Sequence, residues 1–136
     1  MTAPHALAAA AVVAALTGAG GGDAPVRLRV AYAAGPGQPS RVAHLRCTGD
    51  RSSADGFLRP IAARACAHAR GIAAFLAGRP DAHRACTQIY GGPERARITG
   101  TVGGRRVNRT ITRTDGCGIA DWRRAQPLLP RPRGGP

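Results

Sequence analysis

The chain holds four cysteines, Cys47, Cys66, Cys86 and Cys117, and four histidines, among them His44, His68 and His83. Thiolates could bind zinc with imidazole nitrogens, and Cys66-x-His68 and His83-x-x-Cys86 offer both ligand types. These spacings match no closed zinc pattern such as paired Cys-x-x-Cys units, so no metal is expected and the histidines read as surface or satisfied side chains. An even number of cysteines in an exported chain reads instead as two disulfides, for which the sequence alone allows three pairings. Pairing all four removes any cysteine nucleophile. Hydrolase chemistry has little else to draw on: Glu94 is the single glutamate, and Ser40, Ser52 and Ser53 sit in no Gly-x-Ser-x-Gly elbow. The residues argue against an enzyme and against any cofactor.

One stretch differs from the rest, Cys86-Thr87-Gln88-Ile89-Tyr90-Gly91-Gly92-Pro93. A cysteine anchors its start, Ile89 and Tyr90 favour extended backbone, and Gly-Gly-Pro ends any regular element behind them. It reads as an extended loop tethered at Cys86.

The elements that must position this loop follow from periodicity. Val26, Leu28, Val30 and Tyr32 alternate with Arg27, Arg29 and Ala31, the pattern of a strand with one buried face, ended by Gly35-Pro36-Gly37. A second strand runs from Arg41 to Cys47, with Ala43, Leu45 and Cys47 on one side and His44 on the other. Residues 48–56, mostly small and polar, read as a surface loop. Pro60 suits a first helical turn, and Ile61, Ala65, His68 or Ala69, Ile72 and Leu76 recur at helical spacing until Gly78 and Pro80, predicting one main helix from about Arg59 to Ala77 weakened at Gly71. Two further strands, Arg95 to Val102 and Arg105 to Thr114, are joined by Gly103-Gly104, a pair suited to a two-residue hairpin. A short second helix is expected near Ile119 to Arg124. The sum is an α+β domain, an antiparallel β-sheet of about five strands with one main helix, a short second helix and two disulfides.

Composition explains why the disulfides matter. Val, Ile, Leu and Phe number only 23 of 136 residues, so the core is thin and needs covalent help. All 20 basic residues are Arg, and the formal charge is +13. That excess admits a secreted Arg-rich module that binds polyanions. The arginines are scattered along the sequence, with no compact basic run or interleaved aromatics, so composition is the simpler reading and no nucleic acid is expected.

Residues 1–19 carry an alanine-rich apolar centre, Ala6 to Leu16, followed by small residues, the form of a signal peptide, although no Lys or Arg precedes the apolar run. The run is too short to span a membrane. Residues 20–25 read as a flexible N-terminus, residues 26–122 as the folded domain, and residues 123–136, rich in Arg, Pro and Gly, as a tail that is loose from Pro127 onward. The protein is expected to be secreted and extracellular.

Taken with Ala96-Arg97-Ile98-Thr99-Gly100-Thr101-Val102, Arg105-Arg106-Val107 and Asp115-Gly116-Cys117, the segment from Cys86 to Tyr90 resembles the Streptomyces subtilisin inhibitor family of secreted serine-protease inhibitors. The resemblance runs from about Arg27 to Trp122 and includes all four cysteines in order. It implies disulfides Cys47–Cys66 and Cys86–Cys117. It also implies a reactive-site loop in which Cys86, Thr87 and Gln88 are P3, P2 and P1, and Ile89 and Tyr90 are P1′ and P2′. The partner it implies is a secreted subtilisin-like serine protease, and the assembly a homodimer. Two features depart from the family's pattern: Gln88 stands at P1, where many relatives carry Met, Lys or Arg, and Gly91-Gly92-Pro93 is one residue longer than the Asp-Pro arrangement of the family's best-known member.

Overall fold

The computed structural model describes residues 2–3 and 23–132. The expected signal peptide and the last four residues lie outside the described residues, apart from residues 2–3. Five strands form one antiparallel sheet: β1 (Val26–Ala33), β2 (Arg41–Thr48), β3 (Arg51–Ala54), β4 (Arg95–Val102) and β5 (Arg105–Thr112), in spatial order β3-β2-β1-β4-β5. The main helix comprises α1 (Ala62–Gly71) and α2 (Ala73–Ala77), preceded by a 3-10 turn at Gly56–Ile61, and α3 (Gly116–Ala125) follows β5. All the helices cover one face of the sheet.

Alternation sorts the strands as their sequences demand. Val26, Leu28, Val30 and Tyr32 point inward beside Ala43, Leu45 and Cys47 of β2 and Ile98 and Val102 of β4. They pack against Leu58, Ala65, Ala69, Leu76 and Trp122 from the helical layer. Tyr32 meets Trp122 edge to face, ring centroids 6.0 Å apart. Gly103 and Gly104 form the β4–β5 turn with φ of 56° and 77°, conformations that favour glycine.

Four expectations need correction. Residues 48–56 are not a plain loop: Arg51–Ala54 is an edge strand paired to β2, with Gly49-Asp50 as its two-residue turn. Gly49 has φ of 57°, which a hairpin turn of this length requires. The main helix is not one unbroken run from Arg59, because Pro60 sits in the 3-10 turn and the helix bends at Ile72, next to Gly71, where φ is −109° and ψ is 22°. The chain is not loose from Pro127: Leu128 and Leu129 are buried, and Trp122 Nε1 donates to the Pro130 carbonyl at 3.2 Å. Last, the arginines scatter in sequence but not in space. Arg27 and Arg29 of β1, Arg46 of β2, Arg51 of β3, Arg95 and Arg97 of β4 and Arg106 of β5 all take outward positions, so period-two alternation gathers them on the face opposite the helices.

The disulfides are Cys47–Cys66 and Cys86–Cys117. The first ties β2 to α1 and the second ties the segment before β4 to the first turn of α3. On the chain-entropy estimate they contribute about 3 and about 4 kcal/mol. With no free cysteine left, neither Cys66 nor Cys86 offers a thiolate to a metal. The cluster of Cys86, Asp115 and Cys117 is therefore a disulfide beside a helix-capping carboxylate. No helix among the described residues is long and apolar enough to cross a membrane.

Candidate functional site: a pinned, exposed loop

Between α2 and β4 the chain forms no helix or strand, and from Arg84 to Gly92 it makes no turn either. It is nonetheless fixed at both ends. On the entry side, Arg84 grips Asp121 of α3 with both terminal nitrogens, at 3.2 and 2.8 Å. Two residues later comes the Cys86–Cys117 bridge, and one residue after that the Thr87 carbonyl accepts the Gly116 amide at 2.9 Å. That amide is available because it opens α3. The first amides of a helix have no intrahelical acceptor. Asp115 takes the Gly118 amide at 2.8 Å as the cap, and Thr87 takes that of Gly116. Glycine at 116 leaves room for this contact, since a Cβ there would overlap Thr87 Oγ1 and crowd its Cβ, so that Thr87 would have to shift.

On the exit side, the Gly91 amide donates to the Arg113 carbonyl at 2.7 Å. Directly beneath, the Arg113 guanidinium meets Glu94 Oε2 at 2.8 Å, and both side chains are almost wholly buried. Gly92 crosses this ion pair with φ of 150°, and a Cβ there would run into the Glu94 carboxylate. Gly92 is thus what lets backbone pass over a buried charge pair, while a Cβ at Gly91 would run into the Ile119 side chain.

Only Gln88, Ile89 and Tyr90 lie between the two sets of pins. Among the described residues, no backbone–backbone hydrogen bond involves any of the three. All three are exposed, Ile89 by 62% and Tyr90 by 64%, and these two are the exposed large hydrophobics of the described residues. A chain with so few large apolar residues places two of them side by side in solvent.

Asp121 joins the loop to the core. Besides Arg84 it faces Arg109 of β5, whose guanidinium lies over the Phe75 ring at 3.9 Å and donates to the Phe75 carbonyl at 2.9 Å. Burial lowers the Arg109 pKa, with Asp121 opposing the shift, while hydrogen bonding to Asp121 raises that of Arg84. Arg84, Asp121, Glu94, Arg113 and Gly116 are supporting residues that the sequence reading did not single out for the loop. They lie 19 to 37 positions apart along the chain, and no local motif marks them. The sequence-predicted residues Cys86 to Tyr90 do come together with Cys117, whereas Cys47 and Cys66 lie elsewhere, holding β2 to α1.

No protein-family model and no curated protein matches the chain. Among solved structures it is similar to the crystal structure of Streptomyces caespitosus sermetstatin in complex with Bacillus licheniformis subtilisin. The TM-score is 0.46 and the sequence identity 21%, over 76% of this chain and 98% of that chain.

Proposed function

We propose that this protein is a secreted, standard-mechanism inhibitor of subtilisin-like serine proteases, presenting the Gln88–Ile89 peptide bond as P1–P1′. The observation that carries this reading is the run Gln88-Ile89-Tyr90, exposed and apolar on its prime side, set between rigid pins on either flank. A protease binds its substrate as an added strand and polarises the P1 carbonyl with oxyanion-hole donors. A segment already immobilised loses little conformational freedom on entering such a cleft.

The same pins explain inhibition in place of turnover. Attack by the protease serine on the Gln88 carbonyl carbon forms an acyl-enzyme and releases the Ile89 amine, and water then completes hydrolysis. The Cys86–Cys117 disulfide crosses this bond, with Cys86 before the cut and Cys117 after it, while Cys47–Cys66 lies wholly before it. The β1–β4 pairing also bridges the two parts. The Gly91–Arg113 hydrogen bond fixes the amine side to the body of the fold, and the Cys86–Cys117 bridge and the Thr87–Gly116 hydrogen bond tie that body to the acyl side. The amine therefore stays beside the acyl carbon, and aminolysis, which re-forms the peptide bond and frees the serine, competes with hydrolysis.

The family resemblance adds a homodimer carrying one protease per subunit. The outward arginine face is ill suited to that contact, since a second copy stacked there would set like charges against each other. A subtilisin titration tests the function: residual activity should fall linearly to zero at one inhibitor chain per protease. Activity that persists at tenfold excess overturns the reading.

A further inference from the structure

The outer face of the sheet has no role in the loop's chemistry. Its seven outward arginines include Arg27 and Arg46, directly opposite each other across the β1–β2 pair, with Arg29 opposite His44 in the next row. Not one of the five strands contains an Asp or Glu. The acidic group that reaches this face is Asp55, which holds His44 at 3.0 Å. Among the described residues none of the seven outward arginines is in an ion pair. Like charges placed opposite one another on a sheet oppose folding, and an anion between them removes the penalty.

Two shallow depressions lie side by side on this face. One, of about 210 Å³, is rimmed by Arg27, Arg29, His44, Arg46 and Thr99. The other, of about 620 Å³, shares Arg27 and Arg46 and continues to Arg51, Ser52 and Ser53. Each offers guanidinium forks that match phosphate oxygens, and the second adds hydroxyl donors. The sheet's aromatic residue, Tyr32, is buried on the other side, so this face offers no aromatic platform for a base. Nor does any element project from the face to enter a duplex groove.

We propose that this face binds a flexible linear phosphate polymer, recognised through its phosphates alone and laid across both depressions at Arg27 and Arg46. The charge complementarity selects a polyanion, and the absence of aromatic rings and the two adjacent depressions that share Arg27 and Arg46 select a flexible chain over a base-read strand or a stiff duplex.

The test is equilibrium binding of the full chain to long-chain inorganic polyphosphate, with oligo(dT) and a duplex oligonucleotide as comparisons. About four phosphate contacts give a log–log salt slope near −3, and hence about 50-fold weaker binding at 200 than at 50 mM salt. The double variant Arg27→Gln/Arg46→Gln should bind polyphosphate at least tenfold more weakly, roughly, and halve the slope. Arg64→Gln/Arg123→Gln, which removes the same charge from the helical side, should lose about threefold or less. Both variants alter exposed side chains, so cooperative melts with midpoints no lower than that of the wild type confirm intact folds. The sheet-face variant, relieved of the Arg27–Arg46 repulsion, should melt slightly higher. Equal losses in the two variants, absence of binding at 50 mM salt, or tighter binding to oligo(dT) or the duplex than to polyphosphate would each overturn the proposal.

Discussion

The Thr87 carbonyl accepts the Gly116 amide at 2.9 Å, so the residue before Gln88 is held by the opening turn of α3. Gly116→Ala tests this contact through a difference in sign. By helix propensity alone alanine would stabilise the start of α3, by up to about 1 kcal/mol. Because its Cβ would overlap Thr87 Oγ1, we expect instead a lower melting temperature and about tenfold weaker inhibition. Thermal melts and inhibition constants measured on one preparation decide it. A more stable variant with unchanged inhibition would show that Thr87 is not held this way.

The bridge across the proposed scissile bond should separate binding from resistance to turnover. Cys86→Ala/Cys117→Ala should lose about 3 to 4 kcal/mol of stability. It should still occupy the protease at first and then be consumed, with activity returning over time. The matched variant Cys47→Ala/Cys66→Ala should lose about 3 kcal/mol yet remain a lasting inhibitor wherever it is folded. Recovery curves that are identical for the two would detach the disulfide at Cys86 from the mechanism.

Arg84 and Asp121 should differ in what they cost. Asp121→Ala leaves Arg109, buried to 5% exposure, without its carboxylate and should cost about 2 to 3 kcal/mol by denaturant melts. Arg84 is one-third exposed, so Arg84→Ala should cost less than about 1 kcal/mol while still loosening the loop's entry and speeding its cleavage. Faster cleavage with near-native stability would mark Arg84 as a positioning residue. Unchanged cleavage would leave it an ordinary surface pair.

Gln88 has neither the charge for a trypsin-type pocket nor the large apolar surface that a subtilisin pocket buries. Gln88→Met should therefore tighten subtilisin inhibition about tenfold with no change in melting temperature, the loop being exposed there. Unchanged affinity would argue that Gln88 does not enter the pocket.

The His44 backbone amide donates to Asp55 Oδ1 at 2.7 Å, which with the imidazole contact holds the Asp55 pKa below its ordinary value. A depressed carboxylate contributes stability that is complete above the ordinary pKa of about 4 and is lost as pH falls through the depressed value. The melting-temperature gap between wild type and Asp55→Ala should close over that acidic range. A gap constant from neutral to strongly acidic pH would contradict the assignment.

Much of this fold is legible in the strands. Val26 to Tyr32 and Arg95 to Val102 alternate cleanly because one face is buried and the other is wet, and Gly103-Gly104 marks its own turn. Arg51–Ala54 was hidden because a short edge strand of Arg, Ser and Ala carries no apolar alternation, although Gly49-Asp50 is itself a hairpin signal. Leu128-Leu129, the one large apolar pair among the terminal prolines and arginines, was the available sign that this segment packs. At the site, Cys86 to Tyr90 could be read from local composition and family resemblance. The Thr87–Gly116, Arg84–Asp121 and Glu94–Arg113 contacts could not, because each is made by tertiary folding between segments with no shared pattern.

The most direct test of the central claim is to locate the bond that a subtilisin cuts. The oxidised protein is incubated with protease at equal concentration, quenched, and analysed by mass spectrometry before and after disulfide reduction. A standard-mechanism inhibitor with Gln88 at P1 yields intact chain, or one species heavier by a single water that separates on reduction into fragments ending at Gln88 and beginning at Ile89. Cuts at many sites, or a single cut elsewhere in the chain, would contradict it.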